Sequence, residues 1–305
     1  MKIDLGVKTD CIETRYSFDW LFDILADEGI QFVQLGSFYE MYHLDLSYFR
    51  DLRKKAESRG IRIKSVFTAH RELGGFFVGD QRMEAAARKG FERLLEIAEV
   101  VGADYAGSNP GAIYRDHPIG QKETGTLVYL KNLQCLSRTA KKRGLKGLTM
   151  EPMSCLAEPP TTPEEMEFFI SKMNADHFSD VSSTVPTYLC GDISHGYCDL
   201  NKNVIQSNEA LFKAGISMMA EFHFKNTDTH FNSTFGFNPD ERAKGIVDLH
   251  RLKRIVEEHE NMWPVSEVVG YLEIMGPKIG RDYSDRHLEK ELRSSLSAIK
   301  SVFRD

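Results

Sequence analysis

Four residues carry the strongest chemical signal in this sequence: Glu151, Asp192, His223 and Glu273. Each closes a short apolar stretch, namely Gly147 to Glu151, Thr187 to Asp192, Ser217 to Phe224 and Val265 to Ile274. Three carboxylates and one imidazole form a mixed oxygen and nitrogen donor set. That set suits a divalent cation, Mn2+ first and Co2+ or Mg2+ as alternatives, better than a structural zinc, which draws thiolates. A single acidic residue at a strand end is more often a helix cap or an ion-pair partner. Four on consecutive strands are hard to explain that way, because buried carboxylates are costly unless paired or metal-bound.

Parity supports their convergence. Residues two apart in a strand share a face. Gly147, Thr149 and Glu151 share one, as do Glu221 with His223, and Val269, Tyr271 with Glu273. The alternate positions, such as Ala220, Phe222 and Phe224, are apolar and suit packing against helices.

The elements that must position these residues follow a repeated grammar of strand, helix, glycine and next strand. Strands are expected at Ile3 to Val7, Phe32 to Leu35, Ile61 to Phe67 and Asp104 to Gly107, before the four named above. Helices are expected at Phe18 to Ala26, Tyr48 to Ser58, Gln81 to Val101 and Leu127 to Lys142. Others start at Pro163, end at Gly215, run from Asp240 to Glu258, and run from a Ser284 cap to Val302. Gly29, Gly60, Gly102 and Gly144 close four of them, as C-terminal glycines commonly do. Eight strand–helix units predict an α/β fold, a (β/α)8 TIM barrel, as one domain over residues 1–305. The competing open sheet would place a GxGxxG after an early strand, and Val7-Lys8-Thr9-Asp10-Cys11 has none. In such barrels the site lies where the strands end.

Composition narrows the function classes. The chain has 305 residues, 41% hydrophobic and 28% charged, with a net charge of −6. Lysine and arginine are spread along it without a basic patch, so a nucleic-acid partner is not expected. The five cysteines form no CxxC pair, which reads as a reduced, cytoplasmic protein. No signal peptide or membrane-spanning run is expected.

The strand ends resemble the xylose isomerase-like superfamily, and within it the sugar phosphate isomerase/epimerase and ketose 3-epimerase group. The matching stretches are Thr149-Met150-Glu151-Pro152, Gly191-Asp192-Ile193-Ser194-His195, Glu221-Phe222-His223-Phe224-Lys225 and Tyr271-Leu272-Glu273-Ile274. The Asp-x-x-His pair, Asp192 with His195, is the most specific piece. The resemblance implies a metal held by Glu151, Asp192, His223 and Glu273. It implies proton abstraction beside a carbonyl through a metal-stabilised enediolate, with Glu151 and Glu273 as the base and acid pair and His195 on the substrate. The arginine that ketose 3-epimerases place shortly after the metal-binding histidine is missing, and that stretch reads Lys225-Asn226-Thr227-Asp228-Thr229.

Further substrate-binding candidates are His70 after the third strand, Glu158 in the loop after Glu151, Lys225, and Arg281 with Lys278 after the eighth strand. The expected substrate is a sugar or sugar phosphate. The aromatic segment His230 to Phe237 is read as a lid or a contact to a second subunit, and a homo-oligomer, dimer or tetramer, is expected. A lyase that dehydrates or cleaves a C-glycoside of a keto-sugar begins with the same proton abstraction, so it stays open. An abasic-site endonuclease would want more histidines at strand ends and a basic surface, and ranks lower. A non-enzymatic binding module predicts no metal at all.

Overall fold

A computed structural model describes residues 3–12, 15–36, 39–68, 73–116, 120–274 and 287–304. The strands are β1 Ile3–Lys8, β2 Phe32–Leu35, β3 Arg62–Thr68, β4 Tyr105–Ser108, β5 Gly147–Met150 and β6 Thr187–Asp192. A two-stranded hairpin follows, β7 Tyr197–Cys198 with β8 Val204–Gln206, and then β9 Met219–Phe224 and β10 Val268–Leu272. Excluding the hairpin, the hydrogen-bonded order runs β1-β2-β3-β4-β5-β6-β9-β10 and returns to β1, so the eight strands close a barrel. The β/α alternation expected from sequence is therefore observed.

The sequence dictates these elements in simple ways. Parallel strands are covered on both faces and so are apolar throughout, and every residue of β10 is buried. The helices are α1 Phe18–Asp27, α2 Tyr39–His43, α3 Leu46–Glu57, α4 Gln81–Val101, α5 Gln121–Lys142, α6 Pro163–Ser179, α7 Asn208–Gly215, α8 Pro239–Arg242, α9 Leu249–Glu258 and α10 His287–Phe303. Side-chain caps start several of them. Ser17, Asp80, Thr162, Ser207 and Asp248 each accept a backbone N–H of the first turn. Helix α4 stops at Gly102, whose φ of 75° is the left-handed conformation that glycine adopts without strain.

Contacts group the chain into two compact units. One holds residues 1–35, 54–62 and 191–305; the other holds 36–53 and 63–190. In the first, aromatic rings from β9 anchor the core. Phe222 lies 4.8 Å from Phe224 and 5.3 Å from Phe212, and Phe224 lies 5.1 Å from Phe303. These rings also cover Gly270, where a Cβ would come within 2.2 Å of Phe224. In the second unit, Tyr129 is the hub, 5.5 Å from Phe77 and 5.9 Å from both Phe76 and Phe169.

Three expectations from sequence need correction. The stretch Asp240 to Glu258 is not one helix but two, α8 and α9. Gly245 lies so close to the Asn226 carboxamide that a Cβ would approach it to 2.2 Å, and Asp248 then caps a fresh start through the N–H groups of His250 and Arg251. The last barrel strand is shorter than Val265 to Ile274 and leaves Glu273 just past its end. The fifth helix begins at Gln121 rather than Leu127. The hairpin and α2 were not foreseen, and the Ser284 cap lies outside the described residues. Among the described residues no helix is long and apolar enough to cross a membrane. None of the five cysteines is in a disulfide among the described residues.

Candidate metal centre

The end of β6 aims Asp192. Its Oδ1 accepts the Ser194 N–H at 2.7 Å, a local turn that leaves Oδ2 turned away. Asn208, the first residue of α7, donates to the Ile193 carbonyl at 2.8 Å and locks the same turn. On β9, His223 is fully buried, and its Nδ1 lies 4.0 Å from Asp192 Oδ2. Glu273 follows β10, and its N–H donates to the Phe224 carbonyl at 3.0 Å. Its Oε2 lies 2.9 Å from His223 Nδ1. Glu151 follows β5, is buried, and accepts from Asn109 Nδ2 at 2.5 Å. Each of the four offers one ligand atom, and these atoms lie within 4.8 Å of one another.

Two lysines line the same carboxylates. Lys8, at the end of β1 and buried, places Nζ 2.9 Å from Asp10 Oδ2 and 3.3 Å from Glu273 Oε1. Lys225 places Nζ 3.2 Å from Asp192 Oδ2 and 3.7 Å from Glu273 Oε1. Burial works to raise the Glu273 carboxyl, but Lys225, Lys8 and His223 together hold it well below the usual carboxylate range. Asp10 goes the other way. Burial raises it, Lys8 opposes this only in part, and the nearby Glu273 adds to the rise, so it is pushed up to about 6.

The donor set fits a divalent cation. Asp192 Oδ2 and Glu273 Oε2 are both buried, and their neighbours are the Lys225 ammonium and the ring nitrogens of His195 and His223. Glu151, Asp192, Glu273 and Asp10 carry four negative charges when ionised, against two on Lys8 and Lys225. A divalent cation would cancel the difference.

The structure brings some of the other candidates to this group. His195 is buried, with Nε2 3.3 Å from Asp192 Oδ2. Lys225 reaches two of the four residues directly, a closer engagement than the sequence implied. Glu158 is half-buried in the loop after β5, which is fastened by bonds from Ile113 N to Ala157 O and from Met153 N to Pro160 O. His70, Lys278 and Arg281 lie outside the described residues. The aromatic segment after β9 packs against its own chain. Phe237 is buried, and the Phe231 ring leaves no room for a side chain at Gly196, next to His195. Asp228 shapes this segment by accepting from His230 N, Asn232 N and Ser233 Oγ.

Sequence reasoning missed Lys8, Asp10, Gln34 and Asn109. All sit at or just past the ends of β1, β2 and β4. The signal was present: these are polar residues at barrel strand ends, the criterion that found the other four.

Comparison with known proteins agrees with this architecture. A putative xylose isomerase from Rhodospirillum rubrum has 18% identity and a TM-score of 0.79, covering 98% of this chain and 99% of its own. The D-psicose 3-epimerase of Clostridium cellulolyticum, solved with D-tagatose, has 14% identity and a TM-score of 0.72, covering 99% of each chain. The 3-keto-D-glucoside 4-epimerase of E. coli has 13% identity and a TM-score of 0.67, covering 97% of this chain and all of its own. No curated protein matches by sequence. The family model for xylose isomerase-like TIM barrels matches residues 22–297, and the chain belongs to that family.

Proposed function

We propose that this chain is a divalent-metal-dependent isomerase or epimerase of a sugar or sugar phosphate. The observation that carries this reading is the largely buried group of Glu151, Asp192, His223 and Glu273, whose carboxylates outnumber the lysines beside them. That two of the similar structures are sugar epimerases supports it further.

These four residues would hold the cation, with Mn2+ the first expectation. Bound there, it would supply Lewis acidity toward a substrate carbonyl and its neighbouring hydroxyl. The protein's own groups handle the proton. Glu151 follows β5 and Glu273 follows β10. In this reading they flank the reacting carbon, one accepting its proton and the other returning one. Lys225 and Lys8 keep Glu273 ionised, as a metal ligand must be. His195 and Lys225 hold substrate oxygens. His70, Glu158 and Arg281 complete the proposed substrate contacts. The protein is read as cytoplasmic and self-associating.

The test is incubation of the Mn2+-loaded protein with a panel of ketoses, ketose phosphates and 3-keto-glycosides in D2O, followed by NMR. Isomer formation with deuterium at the carbon beside the carbonyl supports the proposal. An unsaturated product or a released aglycone would replace it with the lyase reading. No turnover, together with no bound metal, would sink both.

A further inference from the structure

His223 can present a metal with only one ring nitrogen, and something must decide which. Gln34, at the end of β2, is fully buried. It is paired in register with Lys8, whose ammonium touches Glu273. Its side-chain Oε1 lies 2.8 Å from His223 Nε2. With the amide oxygen turned to the ring, Nε2 carries the hydrogen of that bond. In the neutral ring Nδ1 is then bare, and it faces Glu273 Oε2 at 2.9 Å and Asp192 Oδ2 at 4.0 Å.

In the metal-free protein a second proton, on Nδ1, makes the ring an imidazolium that donates to both Gln34 and Glu273; a bound cation would take that proton's place. The opposite tautomer would let Nδ1–H donate to Glu273 Oε2 and satisfy both groups without any metal. That tautomer would face the Gln34 carbonyl as it is placed, so it would require the amide to turn over.

We propose that Gln34 is a positioning residue that holds a hydrogen on Nε2 of His223, so that Nδ1 is the nitrogen turned to the metal. This rests on the metal site of the proposed function. Hydrogen-bonded partners of metal-ligating histidines commonly change metal affinity by about 10–100-fold when removed.

The experiment measures Mn2+ affinity of chelator-stripped protein by calorimetry at neutral pH, independently of turnover. Gln34→Met keeps the bulk and loses the acceptor, and it should weaken Mn2+ binding by about 10–100-fold. Gln34→Glu keeps an acceptor facing Nε2–H and should bind at least as tightly as the natural protein. Unchanged affinity in Gln34→Met overturns the proposal. So does a loss in Gln34→Glu equal to that in Gln34→Met, because packing alone would then explain both. If Gln34→Met fails to fold, nitrogen-15 spectra of the Zn2+-loaded natural protein decide. A protonated Nε2 and a metal-bound Nδ1 at His223 support it, and the reverse pattern overturns it. Failure of the natural protein to bind any divalent cation would instead overturn the proposed function.

Discussion

The barrel strands carry buried charge at both ends, and the two ends solve it differently. Before β4, Asp104 is buried against Lys64, also buried, at 3.9 Å, and against the exposed Lys146 at 3.2 Å. Backbone bonds from Asp104 N to Lys64 O and from Lys146 N to Asp104 O, both 2.8 Å, hold the arrangement. One carboxylate faces two ammonium groups, so the protein neutralises its own charge. Past the ends of β6 and β10 the ratio is inverted, with carboxylates outnumbering the lysines beside them. The same residue types make a structural brace in one place and a site short of positive charge in the other.

The comparison can be broken by making one substitution at both ends. Asp192→Asn should abolish metal binding and lower kcat/KM by about a thousandfold or more, since it removes a proposed ligand; metal analysis and kinetics check this. In the metal-free protein it should cost little stability, because it relieves surplus negative charge. Asp104→Asn should do the opposite. Metal content and kinetics should hold, while stability falls by about 3 kcal/mol, the lower end for breaking a buried ion pair, as read by urea unfolding. Equal destabilisation by the two substitutions would refute the contrast.

Chelation sharpens the same point. Stripping the metal should lower stability by about 2.7 kcal/mol relative to protein held at a hundredfold excess of Mn2+ over its Kd. Asp104→Asn should leave that difference unchanged, and thermal melts with and without EDTA would show it. The smallest effect concerns Asp10, raised to about 6 in the folded chain. Its protonated form is the favoured one. Its contribution to stability is therefore fully present below about pH 4 and lost as pH rises through about 6. Melts of chelated Asp10→Asn between pH 4 and 7 should lack that part of the slope. An unchanged slope would show that Asp10 does not titrate there.

Much of this was legible in the sequence because barrel chemistry is written at strand ends. The period-two pattern of Glu221 and His223, or of Tyr271 and Glu273, gives side-chain direction without any knowledge of packing. Gln34 and Lys8 carry the same strand-end signal, but their roles are not written locally. Each acts on a partner far along the chain, Gln34 on His223 and Lys8 on Glu273, and pairing β1 with β10 is a consequence of closure rather than of local pattern. The break between α8 and α9 was invisible because it depends on the Asn226 side chain occupying the space beside Gly245. The dense Asp228 turn likewise depends on three donors that no periodicity announces.

The backbone bond from Glu273 N to the Phe224 carbonyl has a consequence for engineering. It anchors Glu273 to the neighbouring strand. Grafting a different segment beyond Ile274, or beyond Phe237, would leave the proposed cation donors where they are. New substrate ranges could then be screened by exchanging loops, with metal content as a simple check that each chimera has kept its chemistry.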